Sequence, residues 1–494
     1  MGEDSDGIEV TEVDRPPPQR TPGARDLLRP AGRPRSATSN LVVVANRMPV
    51  RRLAHGESLA WQPSPGGLTS AVTPLVRKSG GSWIGWPGTA GPAPDPFKHM
   101  GMSIVPVGLS KKEVEAFYNG FSNRTLWPLY HDAVRPPELN RKWWQPYVEV
   151  NQRYAEAALR RVRDGDLVWV HDYHLQLVPL ILRERKPSAR IGFFLHIPFP
   201  PLELFSWLPW RAEILRGLLG ADVIGFQRRQ DVESFLRAAA RFTPARPREG
   251  GLEFEGRRVR VDAFPISIDV ADFESTAADP SVAAHARQIR ERLNERKIIL
   301  SVDRLDYTKG IDSRLSAYED LLSRGVASAE DCVFVQIAVP SRESVKAYSE
   351  LRDRVERLVG RINGQFSDPG SVAVHYFRRN LSKENLVAYY RAADVMLVTP
   401  LKDGMNLVAK EYVATRLDES GVLVLSEFAG AADELDSALI VNPYDVDAVS
   451  LALERALQLP ADEARRRMRS LRRALRRNDV YHWADVFLRA LAGE

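Results

Sequence analysis

Arg304 and Lys309 stand five residues apart in the stretch SVDRLDYTKGI, residues 301–311. Arginine offers a planar fork of donors and lysine a compact point charge. Two such cations on one short loop suit a dianionic ligand such as a nucleotide diphosphate. A solvated basic loop is the ordinary alternative, so the pair matters only if the fold aims it into a cleft. The residues just before it bear on that. Ile298-Ile299-Leu300-Ser301-Val302 reads as a buried strand that stops at Asp303-Arg304.

Other predicted strands also end in residues able to bind phosphate or sugar. Residues 41–45 run into Asn46 and Arg47, and residues 167–170 into His171, Asp172, Tyr173 and His174. Residues 191–195 are followed by His196, Ile197 and Pro198, and residues 333–337 by Ser341 and Arg342. Residues 395–399 lead into Lys402, Asp403 and Gly404. Open parallel sheets bind ligands beyond the carboxyl ends of their strands. A stability argument alone does not account for this pattern.

Two glycine loops open predicted helices: Gly66-Gly67 before Leu68, and Asp403-Gly404 before a stretch over residues 405–412. A helix N-terminus presents free N–H groups and partial positive charge to a phosphate, and glycine lets the backbone come close. GxGxxG is absent, which argues against a nicotinamide-type site. Asp164-Gly165-Asp166 matches a DxD metal motif but precedes its strand, so a turn is the better reading; Asp445-Val446-Asp447 reads as a helix cap. No His/Cys cluster has metal-ligand spacing. The expectation is a site without metal or cofactor, in which Arg304, Lys309 and helix N-termini take the ion's place.

The elements that must position these residues follow from composition and period. At 494 residues the chain should form roughly two or three domains. Residues 1–38 hold Pro16-Pro17-Pro18, Pro22, Pro30 and Pro34 among arginines and read as a disordered tail. From Leu41 onward short Val/Ile-rich strands, including residues 223–225, 372–377 and 422–426, alternate with amphipathic segments such as 346–359 and 385–393. That is a doubly wound α/β pattern with parallel sheets. The strands fall into two sets, over residues 39–270 and 271–475, with the link placed in the polar, Ala-rich stretch from Asp269 to Pro280. Trp483, Val486, Phe487 and Leu491 give residues 476–494 an amphipathic helix able to cross back onto the first domain. The run from Arg465 to Arg477 carries Met468, Leu471 and Leu475 at helical spacing, which favours a docked helix with a solvated basic face over a nucleic-acid patch. A formal charge of +5 points to no nucleic acid. One cysteine, Cys332, excludes an intrachain disulfide; with no long apolar run and an acidic N-terminus, the expectation is a cytoplasmic protein with no membrane association.

Read together, VVVANRMPV, PGGL, WIGWPG, FYNGFSNRTLWP, WVHDYH, GFFLHIPFPP, VDRLDYTKGI, SRESV and LVTPLKDGMNLVAKEYV resemble the trehalose-6-phosphate synthases, in order along nearly the whole chain beyond the tail. That family has the GT-B fold, two Rossmann-like domains facing a cleft, and transfers glucose with retention. The resemblance implies a nucleoside diphosphate glucose as donor, glucose 6-phosphate as acceptor and α,α-trehalose 6-phosphate as product, made by a homotetramer or dimer. By matching positions, Arg47, Tyr118, Asp172 and Arg342 would hold glucose 6-phosphate. Gly66, Gly67, His196, Arg304, Lys309, Leu381, Asp403, Leu407, Val408, Ala409, Lys410 and Glu411 would bind the donor. Arg304, Lys309, Asp403, His196 and Asp172 would serve catalysis, and Trp127 and Ile197 anomer selection. Arg378-Arg379-Asn380 beside Leu381 departs from the family pattern, which leaves the donor base open, and no DxDxT phosphatase motif is present.

Retention needs a double displacement through a carboxylate, or attack from the leaving group's own face. Asp172 is the nearest carboxylate and is better used on the acceptor, so same-face substitution is the expectation. Two alternatives stay open on the sequence. One is transfer to another phosphorylated acceptor such as glycerol 3-phosphate; the other is a catalytically silent sugar-phosphate-binding homologue. A phosphorylase-like enzyme is disfavoured because no lysine-bearing pyridoxal site is evident.

Overall fold

The computed structural model describes residues 40–55, 58–63, 67–342 and 345–494. The proline-rich tail expected over residues 1–38 lies outside the described residues, as does Gly66.

Continuously apolar strands must be covered on both faces, and here they are. Leu41–Arg47 is buried up to its terminal arginine, and Lys297–Arg304 is buried at every position but its two charged ends. The first sheet has ten strands. Its spatial order is Arg246–Arg248, Gly251–Phe254, Arg257–Ala263, Val223–Phe226, Arg190–Phe194, Leu167–His171, Leu41–Arg47, Ser82–Trp86, Met102–Pro106, Phe97–His99. The interior pairs run parallel and the edges pair antiparallel. The second sheet has six strands, parallel throughout, in the order Val374–Phe377, Cys332–Val339, Lys297–Arg304, Val395–Val398, Val422–Ser426, Leu439–Val441. Two Rossmann-like parallel-sheet domains therefore face a central cleft, the GT-B arrangement.

The stretch expected to link the domains is helical. Asp269 caps a helix, Val270–Ala278, by accepting from the Asp272 N–H at 3.0 Å. Alanine and a capping aspartate favour helix over linker, so the chain crosses between sheets just upstream. The crossing segment is pinned by the last helix, Val480–Ala492: Val480 N–H donates to the Ile268 carbonyl at 3.0 Å and the Trp483 indole to that of Phe264 at 3.1 Å. This helix packs against the first sheet. Phe487 stacks on Trp169 at 4.5 Å, in space left by Gly192 and Gly225, where an added Cβ would come 2.7 and 2.8 Å from its ring.

The arginine run forms the helix Ala461–Arg477, with Met468, Leu471 and Leu475 buried. Arg472 is the exception to the solvated face. It is buried and donates to the carbonyls of Val413 and Ala414 at 3.2 and 2.7 Å, closing the end of the helix Leu407–Thr415. Asp166 accepts from the N–H groups of Asn40 and Arg163 in a turn, and Asp445 caps a helix, as the sequence suggests. Among the described residues, no helix is long and apolar enough to cross a membrane.

Charges from the two domains meet across the cleft. Arg228 donates both prongs of its fork to Asp433 at 2.7 and 2.6 Å, Lys402 pairs with Asp132 at 2.7 Å, and Arg135 pairs with Glu350 at 3.1 Å.

Candidate active site

Lys309 ends a short 3-10 turn, Tyr307–Lys309, that follows the strand Lys297–Arg304. Gly310 then takes a left-handed conformation at φ 62°, where a Cβ would lie 2.6 Å from the Thr399 carbonyl. Both the turn and the close approach require glycine. The turn aims the Lys309 ammonium at Asp403 Oδ2, 2.5 Å away, with both side chains largely buried. Asn406 donates to the same oxygen at 3.1 Å. Burial opposes ionisation of Asp403, but Lys309 outweighs it and holds the carboxyl below its usual range. The helix after this loop starts at Leu407, two residues later than the sequence suggests, because Asn406 at φ 76° caps it by accepting from the Ala409 N–H at 3.2 Å. Asp403 therefore sits outside the helix and is free to meet Lys309.

Arg304 shares a ring with Arg342. The Arg342 guanidinium lies 3.8 Å from the Trp127 ring centre and that of Arg304 5.2 Å from it. Cations seek the negative face of an indole, so Trp127 joins two charges that belong to different strand ends. Arg342 has a left-handed backbone, φ 48°, and donates to Tyr173 Oη of the opposite domain at 3.1 Å. It also donates to Tyr348 Oη at 2.5 Å and to Asp306 at 3.4 Å. Arg47 lies 4.2 Å over Trp86 and 5.3 Å from Tyr118. Tyr118 stands on a wide π-type helix, Val114–Leu126, stacked on His174. Burial would raise its phenol, yet Arg342, Arg47 and Arg304 together draw it below its usual value. A tyrosine feels three arginines at once only if all converge on one space.

Asp172 closes that space. Its backbone is left-handed, φ 74°, and its Oδ1 accepts from the His196 N–H at 3.3 Å. Burial pushes its carboxyl up to about 6, beyond the pull of two backbone N–H groups and of Arg342 and Arg304. His196 Nε2 meets His171 Nδ1 at 3.1 Å. Burial pushes His196 down to about 3, so the ring is neutral near pH 7. Ile197 is buried beside it.

Other expected donor-site residues also have partners within the protein. Lys410 is buried against Glu434 and donates to the Ile266 carbonyl at 2.8 Å, so its side chain serves the crossing segment. Glu411 accepts from Tyr390 Oη at 2.8 Å, and burial raises its carboxyl. Leu381, Leu407 and Val408 are partly buried apolar residues packed on the second domain's core, and Ala409 is wholly buried. Gly67 begins the helix Gly67–Ser79.

Some residues escaped the sequence reading. Asp306 is fully buried, takes the Thr308 N–H at 3.1 Å and holds Arg342 and Tyr348. It lies inside the same motif as Lys309, so its carboxylate was a readable signal. His131, which bonds the Trp127 carbonyl at 2.7 Å through Nδ1, had none. Among the described residues, no group of three or more His, Cys, Asp or Glu is placed to hold a metal ion.

Two facing parallel sheets with arginines and a lysine at their strand ends are the arrangement of the GT-B class. The chain belongs to glycosyltransferase family 20, whose pattern matches residues 39–493. It is 52% identical over 476 residues to a trehalose-6-phosphate synthase of Mycolicibacterium gilvum, covering 93% of this chain and 95% of that one. A solved Burkholderia xenovorans α,α-trehalose-phosphate synthase (UDP-forming), in complex with glucose-6-phosphate, superposes with a TM-score of 0.85 at 37% identity, covering 92% of this chain and 100% of that one. An E. coli trehalose-6-phosphate protein bound with UDP-2-fluoro glucose gives a TM-score of 0.85 at 38% identity, covering 92% and 99%.

Proposed function

We propose that this protein transfers glucose from a nucleoside diphosphate glucose to glucose 6-phosphate, with retention, giving α,α-trehalose 6-phosphate. The observation that carries the proposal is Trp127 with Arg342 and Arg304 against its ring. A sugar held between two phosphates needs two cationic sites about one ring apart. Arg342 with Arg47 suits the acceptor phosphate and Arg304 with Lys309 the donor diphosphate. Residues 39–270 then carry the acceptor, residues 271–475 the donor, and residues 476–494 tie the two together.

Asp172 accepts from acceptor hydroxyls, Tyr118 offers a hydroxyl, and neutral His196 bonds the transferred glucose. Gly67 brings the backbone to the donor, the main-chain N–H groups of the helix start at Leu407 and Val408 face the nucleotide, and Glu411 offers the ribose the carboxylate oxygen that Tyr390 does not take. Two carboxylates near the cleft are engaged by cations, Asp403 with Lys309 and Asp306 with Arg342, and a third, Asp172, is given to the acceptor. That favours same-face substitution over a glycosyl-enzyme. The bond from the anomeric carbon to the diphosphate oxygen breaks while the acceptor's anomeric hydroxyl oxygen forms the new bond. The departing phosphate oxygen takes the hydroxyl proton, and Arg304 and Lys309 hold the growing negative charge.

The test is nucleotide release and product analysis with uridine, adenosine and guanosine diphosphate glucose, each against glucose 6-phosphate and glycerol 3-phosphate. Trehalose 6-phosphate from at least one donor is the expected product. A glycerol product, or binding without release, overturns the proposal.

A pH dependence follows from Asp172. With its carboxyl pushed up to about 6 it is ionised at pH 7 and gains a proton as pH falls. The protonated form has lost acceptor capacity, so kcat/KM for glucose 6-phosphate should fall by about tenfold per unit well below pH 6. The substrate phosphate titrates in the same range. Comparing the profile with that of Asp172→Asn isolates the enzyme's share, which the variant's residual activity should lack.

A further inference from the structure

We infer that Arg314, which touches no substrate, is the positioning residue that sets the geometry of Lys309 and of the loop bearing Asp403. The inference rests on the donor-diphosphate role proposed for Lys309.

Arg314 lies in the first turn of the helix Ile311–Ser323 and is fully buried. Its guanidinium donates to four acceptors on three segments. One Nη reaches Ser301 Oγ and Asp303 Oδ2, both on the strand that ends at Arg304. The other reaches the main-chain carbonyl of Lys309. Nε donates to Thr399 Oγ1 at 3.2 Å, just beyond the strand that leads to Asp403. Ser301 in turn donates to the Leu397 carbonyl at 2.7 Å, a second tie between the same strands.

One rigid fork thus references the carbonyl of Lys309 to both flanking strand ends. The Lys309 side chain starts from that fixed peptide, and the Thr399 tether fixes the approach to its partner Asp403. A stability role alone explains this poorly. Burying a charged pair is often no better for stability than well-packed apolar residues, whereas a fork of fixed shape specifies angles. Lysine keeps the charge but has no fork, so Arg314→Lys separates charge from geometry.

The experiment measures kcat, both KM values and calorimetric nucleoside diphosphate affinity for Arg314→Lys and Thr399→Val, each in wild-type and Lys309→Ala backgrounds. Thr399→Val keeps the shape of its side chain and removes one tether. In the wild-type background each should lower kcat at saturating donor, Arg314→Lys by about tenfold, and weaken diphosphate binding, with acceptor KM unchanged. In the Lys309→Ala background the same changes should alter kcat less than about twofold, because the Lys309–Asp403 pair whose geometry they set is gone. Unchanged kcat and diphosphate affinity overturn the inference, and so do equal effects in both backgrounds. If Arg314→Lys does not fold, Thr399→Val carries the same readouts. Failure of the wild type to turn over any donor would count against the proposed function; diphosphate affinity still decides the role of Arg314.

Discussion

Replacing Lys309 by alanine should lower turnover at saturating donor by about 100- to 1000-fold. The ammonium sits at the end of a turn fixed by Gly310 and faces Asp403 at 2.5 Å. In the proposed reaction the leaving diphosphate gains charge in the transition state, and a preorganised donor aimed at such charge contributes on this scale. The effect should fall on kcat rather than on acceptor KM, since the proposal gives the acceptor phosphate to Arg342 and Arg47. A second consequence separates the site from an ordinary surface pair. Lys309→Ala leaves Asp403 buried without its cation, which costs about 3–5 kcal/mol when nothing replaces it. Thermal melting should therefore shift down as well, and Lys309→Ala with Asp403→Asn should recover stability without recovering turnover. Near wild-type kcat for Lys309→Ala with saturating donor would refute the role of this residue.

Gly404→Ala should cost at least about 100-fold in kcat/KM for both substrates together. A Cβ at this position would collide with the His196 carbonyl and come within 3.1 Å of the Ile197 Cα, both in the opposite domain. The obstacle is main chain, so no side-chain rotation relieves it. The loop bearing Gly404 would have to retreat from the opposite domain, taking Asp403 and Lys309 with it. A displacement near 1 Å between reacting groups is worth about that factor. Stability should be nearly unchanged, because the clash is relieved by separating the domains rather than by disturbing either core. Solution scattering of Gly404→Ala should show a more extended particle than the wild type with donor and acceptor bound. A variant that closes and turns over normally would contradict the close approach.

Much of this was legible in the chain. Parallel strands covered on both faces have to be continuously apolar, so segments such as 298–302 and 395–399 announce themselves, and their ends mark the cleft. The cations of the site follow from that alone. Reading failed where tertiary context decides. The stretch after Asp269 reads as a link because it is polar and Ala-rich, yet those residues, with a capping aspartate, make a sound helix. Lys410 lies amid a donor-site motif but turns to Glu434, since its position on a buried helix face leaves it no path to the cleft. Arg314 gave no local signal, because a buried arginine and an exposed one look alike until the strands around it are known. Trp127 was identified by resemblance, while its place between two arginines required the packing of three distant segments.

The last helix has a bearing on how the chain is made. Phe487 fills space over Gly192 and Gly225 and stacks on Trp169, so part of the first domain's interior is supplied by residues near the C-terminus. Domains emerge from the ribosome N-terminal end first. Here the N-terminal sheet must wait, with an apolar face uncovered, until some 220 further residues after its final strand have been synthesised. The enzyme's two halves are thereby committed to a single assembly step, and a chain cut short before Val480 would expose that face to its neighbours instead of to its own helix.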